Sequence, residues 1–280
     1  MPFEGYYWRF AGPGWSVAVI AGVCRDERGT WAMITLAAQP GGVEHTAIAE
    51  RAWIDPDGLG VNAPPYLRAD ADSLTVDLGP GLAARFDARR DWPRRPWGPL
   101  GPAHSLPWLG QYWAPHLLGA RVSGTFGDRS LDGASVYAEK NWGAAFADHW
   151  WWGQASFEDA GVAFAGGRVH GVAPTAVAAW TADALITLAP PLARTVARVG
   201  GGEWQIRASS ARWRIELEGE ATEPPLLLAV PLPAERRLEV RSNHHLLGRL
   251  AVRVHRGRRL WLAGESHTAG LEDGATPGGS

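Results

Sequence analysis

The chain has 280 residues, a formal net charge of -2 and a single cysteine, Cys24. Its length is sufficient to bury a substantial core in one large or two smaller domains. The near-neutral charge argues against a nucleic-acid-binding protein, and no apolar run approaches the roughly 20 residues of a membrane-spanning helix. An intramolecular disulfide is excluded, and the first eight residues lack the pattern of a signal peptide, so we expect a cytoplasmic protein.

Short segments with alternating apolar and polar residues follow one another along the chain. In 212–218, for example, Trp213, Ile215 and Leu217 alternate with charged residues, which is typical of a half-buried strand. Turn sequences such as Asp57-Gly58 separate the segments. The pattern predicts an all-β fold of antiparallel barrels or sandwiches, with one helical turn at 193–199 as the single exception. The predicted strands are 15–23, 30–37, 74–78, 82–86, 121–126, 136–141, 150–157, 176–181, 185–188, 204–208, 212–218, 226–230, 250–255 and 259–263.

A stretch rich in Pro and Trp, residues 91–115, divides these segments into two groups. Because Pro removes hydrogen-bond donors from a sheet, this stretch suits a long extended connection. We therefore expect an N-terminal β-unit over 1–115 that ends in this connection, and a C-terminal β-unit over 116–267. The tail, 268–280, has the composition of a disordered segment.

Residues 137–154 concentrate side chains that are suited to chemistry or stacking. In an extended strand, Tyr137, Glu139 and Asn141 share one face, whereas Lys140, the only lysine of the chain, lies on the other. Bulky aromatic neighbours would desolvate Glu139 and raise its pKa, so that it stays protonated near neutral pH. An ordinary Glu–Lys bridge is the alternative for this pair.

Aromatic residues dominate the segment that follows. Trp150, Trp152 and Gln154 share a face opposite Trp151, and Trp142 and Phe146 precede them. Large flat side chains either fill a core or line an apolar ligand site, and both interpretations remain open for these residues.

Motifs for nucleotide binding, nucleophilic serine hydrolysis and zinc proteolysis do not occur in the sequence. Adjacent residues in a strand point to opposite faces, so His244 and His245 would make a poor chelate, and we expect both at the surface. Cys24 ends an apolar segment and is expected to be a buried small side chain. The sequence thus predicts neither a metal site nor a cofactor.

Four segments together resemble the tocopherol cyclase family. They are Phe3-Glu4-Gly5-Tyr6-Tyr7-Trp8, His104-Ser105-Leu106-Pro107-Trp108, Tyr137-Ala138-Glu139-Lys140-Asn141-Trp142-Gly143 and Trp150-Trp151-Trp152-Gly153-Gln154, spread over about 3–170. The last hundred residues match only in strand character. Ala147 stands where the plant pattern has Pro, a departure that bears on the substrate more than on the fold.

The resemblance implies two lipocalin-like, or calycin-like, antiparallel units packed together, with the Glu-Lys-Asn-Trp-Gly motif in the C-terminal one. It also implies cofactor-free chemistry, in which an acid protonates a prenyl double bond and a phenol oxygen closes a ring. Carotenoid hydratases and pericyclases belong to the same wider group.

The residues suggest a division of roles. Glu139 is the expected proton donor, helped by Tyr137 and Asn141, and Lys140 is expected in an ion pair or a supporting position. Asp148 and His149 are rival donors. The expected ligand-binding residues are Trp142, Phe146, Trp150, Trp151, Trp152 and Gln154.

Three functions are compatible with this pattern. The first is a tocopherol cyclase-like enzyme that acts on a prenylated or polyene substrate. The second is a hydratase or pericyclase of the same fold, and the third is a non-catalytic carrier of an isoprenoid or other apolar ligand. In each case the expected partner is a hydrophobic small molecule rather than nucleic acid, and peripheral contact with a membrane is compatible with all three.

Overall fold

The computed structural model describes residues 2–93, 97–101, 104, 110–144, 146–168 and 171–276. These residues form 22 β-strands and no α-helix. The prediction of an all-β protein built from two curled antiparallel sheets is therefore confirmed. Within the same residues, no helix is long and apolar enough to cross a bilayer.

The first sheet has twelve strands in the order β4-β3-β2-β1-β12-β10-β9-β8-β7-β6-β5, with β11 paired to β10. Its strands are β1 (Phe3–Gly12), β2 (Trp15–Asp26), β3 (Gly29–Gln39), β4 (Val43–Ala49), β5 (Trp53–Ile54), β6 (Val61–Ala63), β7 (Leu67–Ala69), β8 (Ser73–Val76), β9 (Leu82–Asp91), β10 (Gln111–Phe126), β11 (Arg129–Ser130) and β12 (Ser135–Gly143).

The second sheet has ten strands in the order β16-β15-β14-β13-β22-β21-β19-β18-β17, with β20 paired to β21. Its strands are β13 (His149–Phe157), β14 (Ala160–Arg168), β15 (Thr175–Thr181), β16 (Ala184–Leu188), β17 (Arg194–Gly200), β18 (Glu203–Ser209), β19 (Trp213–Ala221), β20 (Leu226–Leu232), β21 (Arg237–Arg256) and β22 (Arg259–Ala275).

Each sheet curls around its own apolar core. In the first, Tyr6, Trp8 and Phe10 of β1 pack with the alternate residues Val136 and Ala138 of β12. In the second, the core includes Trp151, Phe164, Trp204, Leu217 and Leu271. Strands such as β9 bury every second residue, as the alternation in the sequence predicts, whereas β1 is buried on both faces over most of its length.

The chain divides into two compact units at positions that differ from the predicted ones. The first unit contains 1–96, 111–145 and 229–240, and the second contains 97–110, 146–228 and 241–280. The Glu-Lys-Asn-Trp-Gly motif therefore belongs to the first unit rather than to a C-terminal one. The reason is that β12 pairs with β1 from Phe3↔Gly143 to Ala11↔Ser135, a long-range pairing that local alternation does not reveal.

The prediction of a disordered tail from residue 268 is also wrong for the residues up to 275. β22 continues to Ala275, because Ala269 and Leu271 are buried in the second core while their neighbours bond to β13 and β21. The predicted helical turn at 193–199 is strand β17. Of the predicted connection 91–115, the end of β9 and the start of β10 are strands, while 94–96, 102–103 and 105–109 lie outside the described residues.

Cys24 is fully buried, as expected of a small side chain in an apolar strand. Burial, followed by the charge of Asp26, raises the pKa of its thiol to about 12. Because only the thiolate attacks disulfide reagents, we expect native protein at pH 8 to react with Ellman's reagent about 10³-fold more slowly than protein unfolded in urea. Comparable rates in the two states would contradict this placement of Cys24.

Candidate active site

Glu139 is a buried carboxylate in the middle of β12. Its Oε2 atom accepts hydrogen bonds from the indole Nε1 of Trp113 at 2.6 Å and from the hydroxyl of Tyr137 at 2.7 Å. The side chains of Glu139 and Tyr137 lie on the same face of β12, as strand alternation predicts, and both residues are buried. Tyr137 and Glu139 therefore lie close together, as expected, and Trp113 is a second hydrogen-bond donor to Glu139 that was not expected.

The neighbouring strands complete this face of the first sheet. In β10, Trp113 lies opposite Asn141, and in β1, Tyr7 and Arg9 lie opposite Glu139 and Tyr137. Arg9 is 2% exposed. Burial lowers the pKa of its guanidinium to about 10, so Arg9 remains cationic at neutral pH. A buried cation and a buried carboxylate thus occupy the same face of three adjacent strands.

Tyr137 is held in its protonated form. Burial, then the charge of Glu139 and the hydrogen bond to it, raises the pKa of Tyr137 well above its usual value. Tyr137 therefore donates to Glu139 throughout the neutral range. Both donors therefore converge on the same oxygen atom, Oε2 of Glu139.

Asn141 lies against the backbone of β1 at Gly5. A Cβ atom placed on Gly5 would be 2.5 Å from the Asn141 Oδ1 atom, so a larger residue at position 5 would have to displace this amide. Oδ1 of Asn141 is buried and accepts no hydrogen bond from any described residue. The amide therefore presents an acceptor on the same face as Glu139.

Lys140 lies on the opposite face of β12, in an ion pair with Glu4. Its Nζ atom is 2.7 Å from Glu4 Oε2, donates to the carbonyl of Pro56 at 3.0 Å and lies 5.1 Å from the centre of the Tyr6 ring. The Tyr6 hydroxyl also donates to Glu4 Oε2, at 3.1 Å. This buried network is separate from the Glu139 hydrogen bonds.

Trp142 shares the Lys140 face of β12, where it lies opposite Glu4 of β1. Its ring stacks on Tyr112 at 5.8 Å between centroids, and it is partly exposed. Trp142 therefore does not share the face of Glu139.

The remaining candidates belong to the second unit. Trp150 and Trp152 share one face of β13, with Gln154, whereas Trp151 packs in the second core and donates to Thr175 at 3.1 Å. The Phe146 ring lies 5.3 Å from that of Trp150. Of the rival donors, Asp148 is exposed, and His149 is partly buried with its ring at the edge of Trp151.

A second carboxylate with several hydrogen-bond donors, Glu272 of β22, was not expected from the sequence, and its side chain is 20% exposed. Its Oε1 accepts from Trp150 Nε1 at 2.8 Å and from the Ser242 hydroxyl at 2.9 Å, and its Oε2 lies 3.1 Å from His244 Nδ1. Burial acts to raise the pKa of Glu272, but the hydrogen bond and charge of His244, with the other two donors, lower it below its usual value. The His244 ring stacks on Trp152 at 5.9 Å.

The prediction that His244 and His245 lie at the surface is wrong. His244 and His245 do point to opposite faces, as strand geometry requires, but both are buried. His245 contacts Trp204 edge-on and donates to the carbonyl of Glu223, and burial lowers its pKa. Among the residues that the structure describes, no group of three or more His, Cys, Asp or Glu side chains is arranged to hold a metal ion.

Comparison with known proteins gives the family of the chain. A family model described as tocopherol cyclase-like matches residues 125–275, just over half of the chain. This range includes most of the last hundred residues, where the sequence resemblance was weakest. Among curated proteins, none has a significant sequence match.

Two solved structures share the fold at low sequence identity. Kievitone hydratase from Nectria haematococca is 11% identical, with a TM-score of 0.57, and the alignment covers 98% of this chain and 89% of the hydratase. A protein from Nitrosomonas europaea described as a candidate AttH is 12% identical, with a TM-score of 0.50, and the alignment covers 98% of this chain and 93% of that protein.

The close approach of Asn141 to Gly5 can be tested by substitution. Gly5→Ala should destabilise the protein by about 1–3 kcal/mol, because the new methyl group collides with the Asn141 amide. Asn141→Gly should be tolerated better, and in the double variant it should relieve most of the Gly5→Ala cost. Urea denaturation measures the coupling. Additive effects in the double variant would contradict the contact.

The lowered pKa of Glu272 predicts an effect of pH on stability. A folded pKa below the unfolded value contributes stability that is present above about pH 4.5, the usual pKa, and is lost as the pH falls through the folded pKa. Urea denaturation between pH 7 and 3 should therefore show a shallower loss of stability for Glu272→Gln than for wild type. Glu203→Gln, at an exposed site in the same sheet, should keep the wild-type slope.

Proposed function

Because the chain belongs to the tocopherol cyclase-like family, we propose that it is a cofactor-free enzyme that protonates a carbon–carbon double bond in a prenylated or polyene substrate. An oxygen nucleophile of the same substrate then closes a ring on the resulting cation. The observation that carries this proposal is the buried Glu139 carboxyl group, which accepts hydrogen bonds from Trp113 and Tyr137.

The reaction needs an acid that is shielded from water. Protonation of a trisubstituted double bond gives a tertiary cation, which water would capture. Glu139 is 4% exposed, and its two hydrogen-bond partners fix the carboxyl group in one orientation. For the reaction this carboxyl group must be protonated, and it then gives its proton to the substrate double bond.

The proposed reaction consumes no proton overall and needs no cofactor. The carboxyl proton of Glu139 forms the new C–H bond, and the π electrons of the double bond form that bond and leave the tertiary cation. The substrate hydroxyl oxygen attacks the cation to form a C–O bond, and its proton returns to the carboxylate. The reaction is thus an isomerisation that regenerates the acid.

Aromatic and amide side chains on the same face have complementary roles. The rings of Tyr7, Tyr137 and Trp113 can stabilise a developing cation by about 2 kcal/mol where it is desolvated. The buried Oδ1 of Asn141 is an acceptor for the substrate hydroxyl, which it would orient toward the cation.

The predicted ligand contacts of Trp142, Phe146, Trp150, Trp151, Trp152 and Gln154 stay a prediction. Trp142 lies on the face of β12 opposite to Glu139, and Trp151 packs in the second core. The proposal therefore rests on the Glu139 face of the first sheet. The exposed Asp148 lacks the desolvation that an acid of this strength needs, which favours Glu139 as the donor.

A hydratase is the second candidate, and the shared fold with kievitone hydratase is the observation in its favour. The same acid would protonate the double bond, and water would replace the substrate hydroxyl as the nucleophile. A carrier would use the aromatic surfaces alone. The two hydrogen bonds that orient the Glu139 carboxyl support an enzyme, because a carrier has no need of an oriented acid.

Substitution of the acid tests the proposal. With a prenylated hydroquinone as the probe, Glu139→Gln should reduce product formation by at least 10²–10⁴-fold and leave probe binding nearly unchanged, because the amide retains the shape but delivers no proton. Asn141→Ala should weaken both binding and rate. Product analysis by mass spectrometry separates ring closure, which keeps the substrate mass, from hydration, which adds one water.

The control variant is Glu27→Gln, at an exposed glutamate of the same unit, and it should retain full activity. Lys140→Arg tests whether the buried ion pair tolerates a larger cation. Near-wild-type turnover in Glu139→Gln would transfer the donor role to another acid. Saturable binding of the probe without conversion by the wild-type protein would instead identify a carrier.

A further inference from the structure

Six exposed arginines gather at one end of the second sheet. We call them the arginine rim: Arg194, Arg212, Arg214, Arg256, Arg258 and Arg259. Strand register brings them together, because Arg194 and Arg214 both lie opposite Ser209 in β18, on its two sides. Arg256 lies opposite both Trp213 and Arg259. The turns of three strand connections therefore converge on this end.

The charges of the arginine rim are mostly unneutralised. Arg214 lies 3.7 Å from Glu216, and Arg212 and Arg256 lie over the Trp213 ring at 5.7 and 5.8 Å. No other member of the rim has an acidic partner among the residues that the structure describes. Since the whole chain has a net charge of -2, this end is a local concentration of positive charge rather than a general property.

Apolar side chains project from the same end. Leu192 is 87% exposed two residues before Arg194, and Leu260 is 51% exposed directly after Arg259. Trp213 and Trp261 are packed edge-to-face at 5.3 Å and are only partly buried. Exposed leucines beside arginines and tryptophans match the layered polarity of a bilayer surface, with phosphates outside and acyl chains beneath.

A groove of about 390 Å³ begins at the arginine rim. It is lined by Arg194 and Arg214 of the rim and by Arg207 between them, with Val196 and the single acid Glu216. Arginine side chains bind phosphate oxygens through paired N–H donors. The groove therefore offers room for a phosphate-bearing headgroup next to the exposed leucines.

We propose that the arginine rim docks the protein on the surface of an anionic phospholipid bilayer. The guanidinium groups contact headgroup phosphates, and Leu192 and Leu260 enter the interface. The exposed leucines favour a bilayer over nucleic acid, because leucines beside arginines match an interface where acyl chains lie beneath phosphates. The inference stands on the rim itself and does not depend on Glu139, although a membrane surface would supply a prenylated substrate.

Vesicle co-sedimentation tests the docking surface. Wild-type protein should bind vesicles of phosphatidylcholine with 30% phosphatidylglycerol, fail to bind pure phosphatidylcholine, and dissociate in 0.5 M NaCl. One arginine near an anionic surface contributes about fivefold in affinity, so Arg212→Gln/Arg258→Gln/Arg259→Gln should reduce binding at least tenfold. Leu192→Ser/Leu260→Ser should reduce it several-fold.

Control variants remove the same types of side chain from positions outside the arginine rim. Arg28→Gln/Arg51→Gln/Arg68→Gln removes three exposed arginines of the first unit, and it should bind like wild type. Leu227→Ser removes a leucine that is 54% exposed, close to the 51% of Leu260, and it should also bind like wild type. Equal losses in the rim and control variants would overturn the proposal, as would absence of binding by wild type. Displacement of the protein from vesicles by 5 mM inorganic diphosphate at constant ionic strength would overturn bilayer docking and indicate a site for soluble phosphates. Binding of duplex DNA that the leucine substitutions do not weaken would overturn it and indicate a nucleic-acid surface.

Discussion

The position of β12 between β1 and β10 imposes the constraint on which the candidate site depends. Side chains of β12 alternate between two buried environments, so its charged residues Glu139 and Lys140 cannot reach each other and each needs its own partners. A charge buried without compensation costs several kcal/mol. Lys140 is compensated by Glu4 on one face, and Glu139 by Trp113 and Tyr137 on the other. The adjacent strands therefore determine what each face of the motif can do.

The two units contain carboxylates held in a similar way. Glu139 accepts from an indole and a phenol, and Glu272 accepts from the indole of Trp150 and the hydroxyl of Ser242. Glu272 in addition pairs with His244, which together with the other donors holds it in the ionised form. A carboxylate fixed as an anion is suited to structure or to orienting its histidine, rather than to delivering a proton. The two carboxylates therefore differ in the side chains that hold them.

The alternation of apolar and polar residues was sufficient to predict the all-β fold and which side chains share a face of β12 and of β13. This is because the two-residue period of a strand is a local property of the chain. Pairing between distant strands was not predictable in this way. Trp113 falls in a Pro- and Trp-rich stretch that suggested an extended connection, and its approach to Glu139 depends on the register of β10 with β12. Glu272 falls in a stretch whose Gly-rich composition suggested disorder, although β22 bonds there to both β13 and β21.

The survival of a single lysine in an arginine-rich chain has a geometric explanation in the Lys140 network. Its ammonium group fits between Glu4 Oε2, the Pro56 carbonyl and the face of the Tyr6 ring, three partners in different directions. A compact ammonium with three rotatable donors matches this arrangement, whereas a planar guanidinium is suited to paired acceptors in one plane. The arginines of the arginine rim, by contrast, are exposed. The set of partners, rather than burial alone, therefore distinguishes Lys140 from Arg9, which is buried as an arginine.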